Sequence, residues 1–114
     1  MNFEAELANI QLVEKLYTFL TLLRSALKSL VGEHAEVIWY DSVDPVSGKV
    51  WWKSALTPQN STFLDLCDGF FTDYHWDLAR LDQTAQIALS MNWKLDVYVG
   101  NDIYGRGTYA GGKF

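Results

Sequence analysis

The chain has 114 residues, 49% hydrophobic and 20% charged, with only 2 Pro and 8 Gly, which is the composition of one ordinary globular domain. A net charge of −5 with nine scattered basic residues excludes a nucleic-acid partner, because phosphate backbones demand clustered Lys and Arg. No uninterrupted apolar run approaches the roughly 18 residues of a membrane span, and no basic-then-apolar secretory signal is visible, so no membrane partner is expected.

In chain order, residues 5–30 read as one long helix. Leu7, Ile10, Leu16, Leu20, Leu23, Leu27 and Leu30 recur at intervals of three and four, with Glu14, Lys15, Arg24 and Lys28 between them. Leu12, Val13 and Tyr17 widen the apolar face beyond a coiled-coil seam, which predicts packing on a sheet, and Gly32 ends the helix. The apolar run over 37–40, closed by Asp41, has the character of a buried parallel strand. Asp44-Pro45 and Ser47-Gly48 mark a loop, and Thr57-Pro58 supplies an N-cap and first position for a short helix to about residue 66. A strand at 69–72 ends at Asp73, and a helix over 77–90 follows with Leu78, Leu81, Ala85 and Ala88 on its inner face. The last strand, 96–100, ends in Asn101-Asp102, and Gly105, Gly107, Gly111 and Gly112 then form a flexible loop. The lone Cys67 excludes an internal disulfide, reads as a small core hydrophobe and fits a reducing compartment.

Helix and strand alternate throughout, which specifies an α/β fold with a parallel sheet and crossover helices. The carboxylates that close the strands, Asp41, Asp73 and Asp102, are roughly thirty residues apart, near one βα unit of a (β/α)8 barrel of about 250 residues. The expectation is therefore a partial (β/α)8 TIM barrel of about three βα units plus one strand end, as a single domain over residues 1–114. Closure needs eight units, so the sequence predicts a fragment of a larger barrel. In such barrels the C-terminal strand ends face the active site. Asp41, Asp73, Asp102 and Glu4 would then line its floor, contacting sugar hydroxyls or bracing neighbours.

Asn2-Phe3-Glu4 alternates polar, apolar, polar, so in extended backbone Asn2 and Glu4 share a face. An amide beside a carboxylic acid suits hydrolysis of an N-acetylhexosaminide by substrate assistance. There the substrate's own acetamido oxygen attacks the anomeric carbon and the protein supplies no nucleophile. The amide stabilises the developing oxazolinium, and the acid protonates the leaving oxygen and then activates water. His34 and His75 are isolated from each other and from Cys67, so no metal is expected, and no cofactor is implied. The Gly-rich tail lacks the Gly-Lys-Ser/Thr of a phosphate loop.

Several motifs occur in one order: Asn2-Phe3-Glu4, Trp39-Tyr40-Asp41-Ser42, Trp51-Trp52, Gln59-Asn60, Asp68-Gly69-Phe70-Phe71-Thr72-Asp73-Tyr74-His75-Trp76 and Val97-Tyr98-Val99-Gly100-Asn101-Asp102 with Gly105-Arg106-Gly107. Together they closely resemble glycoside hydrolase family 85, the endo-β-N-acetylglucosaminidases acting on the chitobiose core of N-glycans. The resemblance implies a partner in the N-linked glycan of glycoproteins or free oligosaccharides. It implies Asn2 as the oxazolinium-stabilising amide, Glu4 as general acid/base, and Tyr40 as a contact to the acetamido group. Trp51 or Trp52 matches an aromatic of the sugar subsites, with the choice between them open. Tyr74 and Trp76 match cleft aromatics, with a packing role as the alternative. Chitinase-like glycosidases end their signature in Asp-x-Glu where this chain has Asn2-Phe3-Glu4. A non-catalytic or glycan-binding remnant is the reading from a different class.

Overall fold

Twenty residues without Gly or Pro, carrying leucines at helical spacing, make α1 (Gln11–Leu30) in the computed structural model. The structure describes residues 11–92, 96–109 and 111. After α1 come β1 (Ile38–Tyr40), α2 (Ser61–Leu66), β2 (Gly69–Phe71), α3 (Leu78–Ser90) and β3 (Val97–Tyr98). The expected order of elements holds, and the three strands form one parallel sheet in the order β1-β2-β3. Helix residues 5–10, with Asn2 and Glu4 before them, lie outside the described residues, as does Gly112.

Strand register sorts the side chains onto two faces. Trp39 sits beside Phe70, and Phe70 beside Val97; this face turns toward the helices. Ile38 beside Gly69, and Tyr40 beside Phe71 and in turn Tyr98, make the other face. The core gathers on the first face. Trp39 stacks on Phe63 of α2 with centroids 4.2 Å apart, Tyr17 of α1 meets Phe63 edge-on at 5.2 Å, and Leu20, Leu56, Leu64, Cys67 and Ala88 complete the cluster. Cys67 is fully buried, as expected, and burial pushes its thiol up to about 11.

Three local expectations are corrected. Helix α2 begins at Ser61 rather than at Pro58. Thr57 and Asn60 exchange side-chain-to-backbone bonds (Thr57 N to Asn60 Oδ1 2.7 Å; Asn60 N to Thr57 Oγ1 3.2 Å), which locks 57–60 as a turn ahead of the helix. In α3, capped by Asp77 accepting from the Arg80 N–H at 2.8 Å, the inner face is shifted. Thr84 and Ala88 are buried with Ile87 and Met91 beside them, whereas Leu78 is 61% exposed and Ala85 also faces outward. Thr84 is drawn inward because its hydroxyl accepts the Leu56 N–H at 2.9 Å. Leu30 ends the α1 leucine row 85% exposed, since the chain turns away there through Gly32 at φ +139°.

Candidate functional site

The strand ends place three carboxylates on backbone amides. Asp41, 1% exposed, follows β1, and its Oδ2 accepts the N–H groups of Lys53 at 3.0 Å and Ser54 at 2.8 Å. Those bonds reach across a loop in which Val43 bridges Val50 and the Asp44 carboxylate caps Ser47. They also hold Ser54 at φ +58°, a conformation that a non-glycine residue adopts only when held. Burial pushes the Asp41 carboxyl up to about 7; the nearby Asp73 adds to the rise, and the two amides together with Asn60 oppose it.

Asp73, 4% exposed, follows β2 and turns back on its own loop. Its Oδ1 accepts the His75 N–H at 3.2 Å and its Oδ2 lies 2.9 Å from His75 Nδ1. Asp102, also 4% exposed, accepts from the backbone N–H of Tyr104 at 3.0 Å and from Arg106 Nε at 2.7 Å. The Arg106 guanidinium holds that carboxyl below its ordinary value. All three acids thus brace loops, each fixing the path of the segment that follows its strand.

The braced loops present aromatics. Tyr40, Trp52, Asp73, Tyr74 and His75 line a cleft of about 240 Å³ at the C-terminal ends of β1 and β2. Two separately expected residues, Tyr40 and Asp73, thereby share one wall with Trp52. Trp52 lines this cleft, whereas Trp51 lies in a separate groove. It lies 59% exposed in a groove with Asp44 and Gln59, under the Lys53 ammonium at 3.2 Å from its ring centroid. Trp76 is half-buried; its indole N–H donates to Gly100 O at 2.7 Å and its ring packs at 5.5 Å on Tyr109. Trp76 therefore ties the loop after β2 to the end of β3, where Thr72 O approaches so closely that a Cβ on Gly100 would lie 2.8 Å from it. Asp102 and its loop stand outside the cleft lining.

His75 is a cleft residue outside the expected site residues. The spacing Asp73-x-His75 just past a strand end is the signal that reveals it, since a carboxylate two residues upstream reaches both the backbone and the ring of the later residue. Among the described residues no group of three or more His, Cys, Asp or Glu is placed to hold a metal ion. No helix among them is long and apolar enough to cross a membrane. Aromatic faces beside a few convergent polar groups are the lining of a small-molecule cleft, where rings supply contact area and polar atoms fix orientation.

The whole chain, residues 1–114, matches glycosyl hydrolase family 85. It is 39% identical over its full length to cytosolic endo-beta-N-acetylglucosaminidase 1 of Arabidopsis thaliana, of which it covers 16%. Over 78 residues, 68% of this chain, it is 44% identical to the cytosolic endo-beta-N-acetylglucosaminidase of Danio rerio and covers 11% of that protein. The corresponding human protein is 42% identical over 78 residues, again 68% of this chain and 10% of the relative. The chain thus spans less than a fifth of the length of each of these relatives.

Proposed function

The chain belongs to glycosyl hydrolase family 85, and from that we propose that the whole protein is an endo-β-N-acetylglucosaminidase. Its reaction is hydrolysis of the GlcNAc-β-1,4-GlcNAc bond in the chitobiose core of N-glycans, on glycoproteins or free oligosaccharides. The observation that carries the reading is the cleft uniting Tyr40, Trp52 and Asp73 at the C-terminal ends of two parallel strands. Barrel hydrolases bind substrate at that end. The small parallel sheet is compatible with part of such a barrel, and we read the chain as a portion of a single catalytic domain. The relatives are named as cytosolic proteins, and the cytosol is the compartment we assign to this one.

In the proposed mechanism the acetamido oxygen of the sugar on the non-reducing side attacks its own anomeric carbon. Asn2 stabilises the oxazolinium that forms, and Glu4 protonates the departing oxygen. Glu4 then takes a proton from water as that water opens the ring. Tyr40 orients the acetamido group, and Trp52 and Tyr74 pack against sugar faces. Asp41, Asp73 and Asp102 hold the loops that carry these groups, and Trp51 and Trp76 flank the subsites.

Glu4→Gln tests this reading in the whole protein, because it blocks both proton transfers while keeping shape. Cleavage of an N-glycosylated peptide should fall about 10²–10⁴-fold, with glycan binding much less affected. On a nitrophenyl glycoside, whose leaving group needs little protonation, the first step should be partly rescued. Near-wild-type cleavage of the glycopeptide by Glu4→Gln would sink the assignment.

A further inference from the structure

Both oxygens of the cleft carboxylate are already committed: Asp73 Oδ1 to the His75 backbone and Oδ2 to His75 Nδ1. We infer that His75 is a specificity-determining residue of the cleft, an imidazole fixed by Asp73 that takes a hydrogen bond from a sugar hydroxyl through Nε2. A carboxylate oxygen only accepts, so at 2.9 Å the ring nitrogen facing it, Nδ1, carries the hydrogen. In the neutral imidazole Nε2 is then a bare acceptor. A buried carboxylate that sets the tautomer and angle of an exposed imidazole is the arrangement by which proteins aim a histidine at a ligand.

Burial supports that division of labour. Asp73 is 4% exposed whereas the His75 side chain is 61% exposed and lines the cleft with Tyr40, Trp52 and Tyr74. The His75 ring lies against Tyr74 at 4.6 Å between centroids, which limits its rotation from the second side. Around it the cleft wall is made of Tyr40, Trp52 and Tyr74, rings that give surface for sugar faces and carry O–H and N–H groups at their edges. The Nε2 lone pair adds an acceptor aimed by the protein, and Asp73 acts as the positioning residue behind it. The inference rests on the glycan-hydrolase reading for the nature of its ligand and on the Asp73–His75 geometry for everything else.

The test uses the whole protein as wild type, His75→Phe and His75→Gln. Phenylalanine keeps a ring against Tyr74 and removes the acceptor, whereas glutamine restores one. For an N-glycosylated peptide, KM should rise about three- to ten-fold in His75→Phe, the usual weight of one hydrogen bond. The change in kcat should be smaller than that in KM, His75→Gln should recover part of the loss, and thermal midpoints should agree. Independently, ¹⁵N spectra of labelled His75 should show the Nδ1–H tautomer, and the Nε2 resonance should move when a chitobiose-core oligosaccharide is added. An unchanged KM in His75→Phe of an active enzyme, or an Nε2–H tautomer, would overturn the inference alone. A wild type inert toward N-glycans would overturn the proposed function, and the Nε2 response to the oligosaccharide would still decide the role of His75.

Discussion

At Asp41 two large effects oppose each other. The side chain is fully enclosed, which disfavours its charged form, yet Lys53 and Ser54 aim N–H groups at one of its oxygens, which favours that form. Desolvation wins, because the carboxyl rises from an ordinary 3.8 to about 7. Between those two values the folded protein holds a proton that the unfolded chain has released. The contribution of Asp41 to stability is therefore greatest below pH 4, falls as pH rises toward 7 and levels off above that. The span corresponds to on the order of 4 kcal/mol. Asn, a neutral side chain that still accepts both amides, escapes the loss. The thermal midpoint of Asp41→Asn should thus gain steadily on wild type between pH 4 and pH 8 in the whole protein. A midpoint difference that stays constant over that range would show that Asp41 keeps its ordinary carboxylate behaviour.

Elements are joined at the opposite end of the sheet by another acid. Asp68, between α2 and β2, takes Arg24 and Lys28 of α1 at 2.9 and 3.1 Å and the Val37 N–H at 2.9 Å, pinning the long helix to the entry of β1. Burial alone would raise this carboxyl. The Val37 amide with Lys28 and Arg24 outweighs burial and holds it below its ordinary value. The clamp is therefore present above the unfolded carboxylate range and lost as acid titrates the folded form. Asp68→Asn should cost about 1–3 kcal/mol near neutral pH, the usual loss for hydrogen bonds to a charged group, and progressively less toward pH 3. Equal melting of variant and wild type at pH 7 would remove the clamp. The sequence shows Arg24 and Lys28 as solvated punctuation of a helix, and no local pattern ties them to Asp68, 44 residues from Arg24. The same limit explains α3. Its period was legible, but its rotation was set by Thr84 finding the Leu56 amide, a tertiary bond that overrides the apolar preference for Leu78 and Ala85. Strand identity and order were legible because short apolar cores, Val37-Ile38-Trp39-Tyr40, Phe70-Phe71 and Val97-Tyr98-Val99, each lie just ahead of an Asp and between helical patterns. The cleft was legible only as separate residues, since Tyr40, Trp52 and Asp73 come from segments far apart in the chain that only the tertiary fold brings to one wall.

At the scale of the molecule, the described helices pack on one face of the sheet. Ile38, Phe71 and Tyr98, brought side by side by strand register, are 46%, 39% and 42% exposed. Gly69 leaves the Tyr98 ring room beside Ile38, so the open face is a continuous apolar strip rather than scattered side chains. Among the described residues β1 and β3 each pair on one side only. On α1 the outward Phe19 and Leu22, 57% and 65% exposed, add apolar surface. Parallel sheets are ordinarily covered on both faces, and open apolar edges recruit other chains. Expressed alone, the 114-residue chain should therefore self-associate, elute as a heterogeneous species on size exclusion, and melt without a sharp transition. Ile38→Lys places a charge on both the open face and the edge strand. It should shift the elution profile toward monomer, because a lysine at an edge opposes strand addition and cannot be buried unpaired in a copy-to-copy contact. Gln83→Lys, on the exposed side of α3 and away from the strip, should leave association unchanged. A monodisperse wild-type monomer with one steep unfolding transition would mean that this face is not the adhesive surface its register makes it.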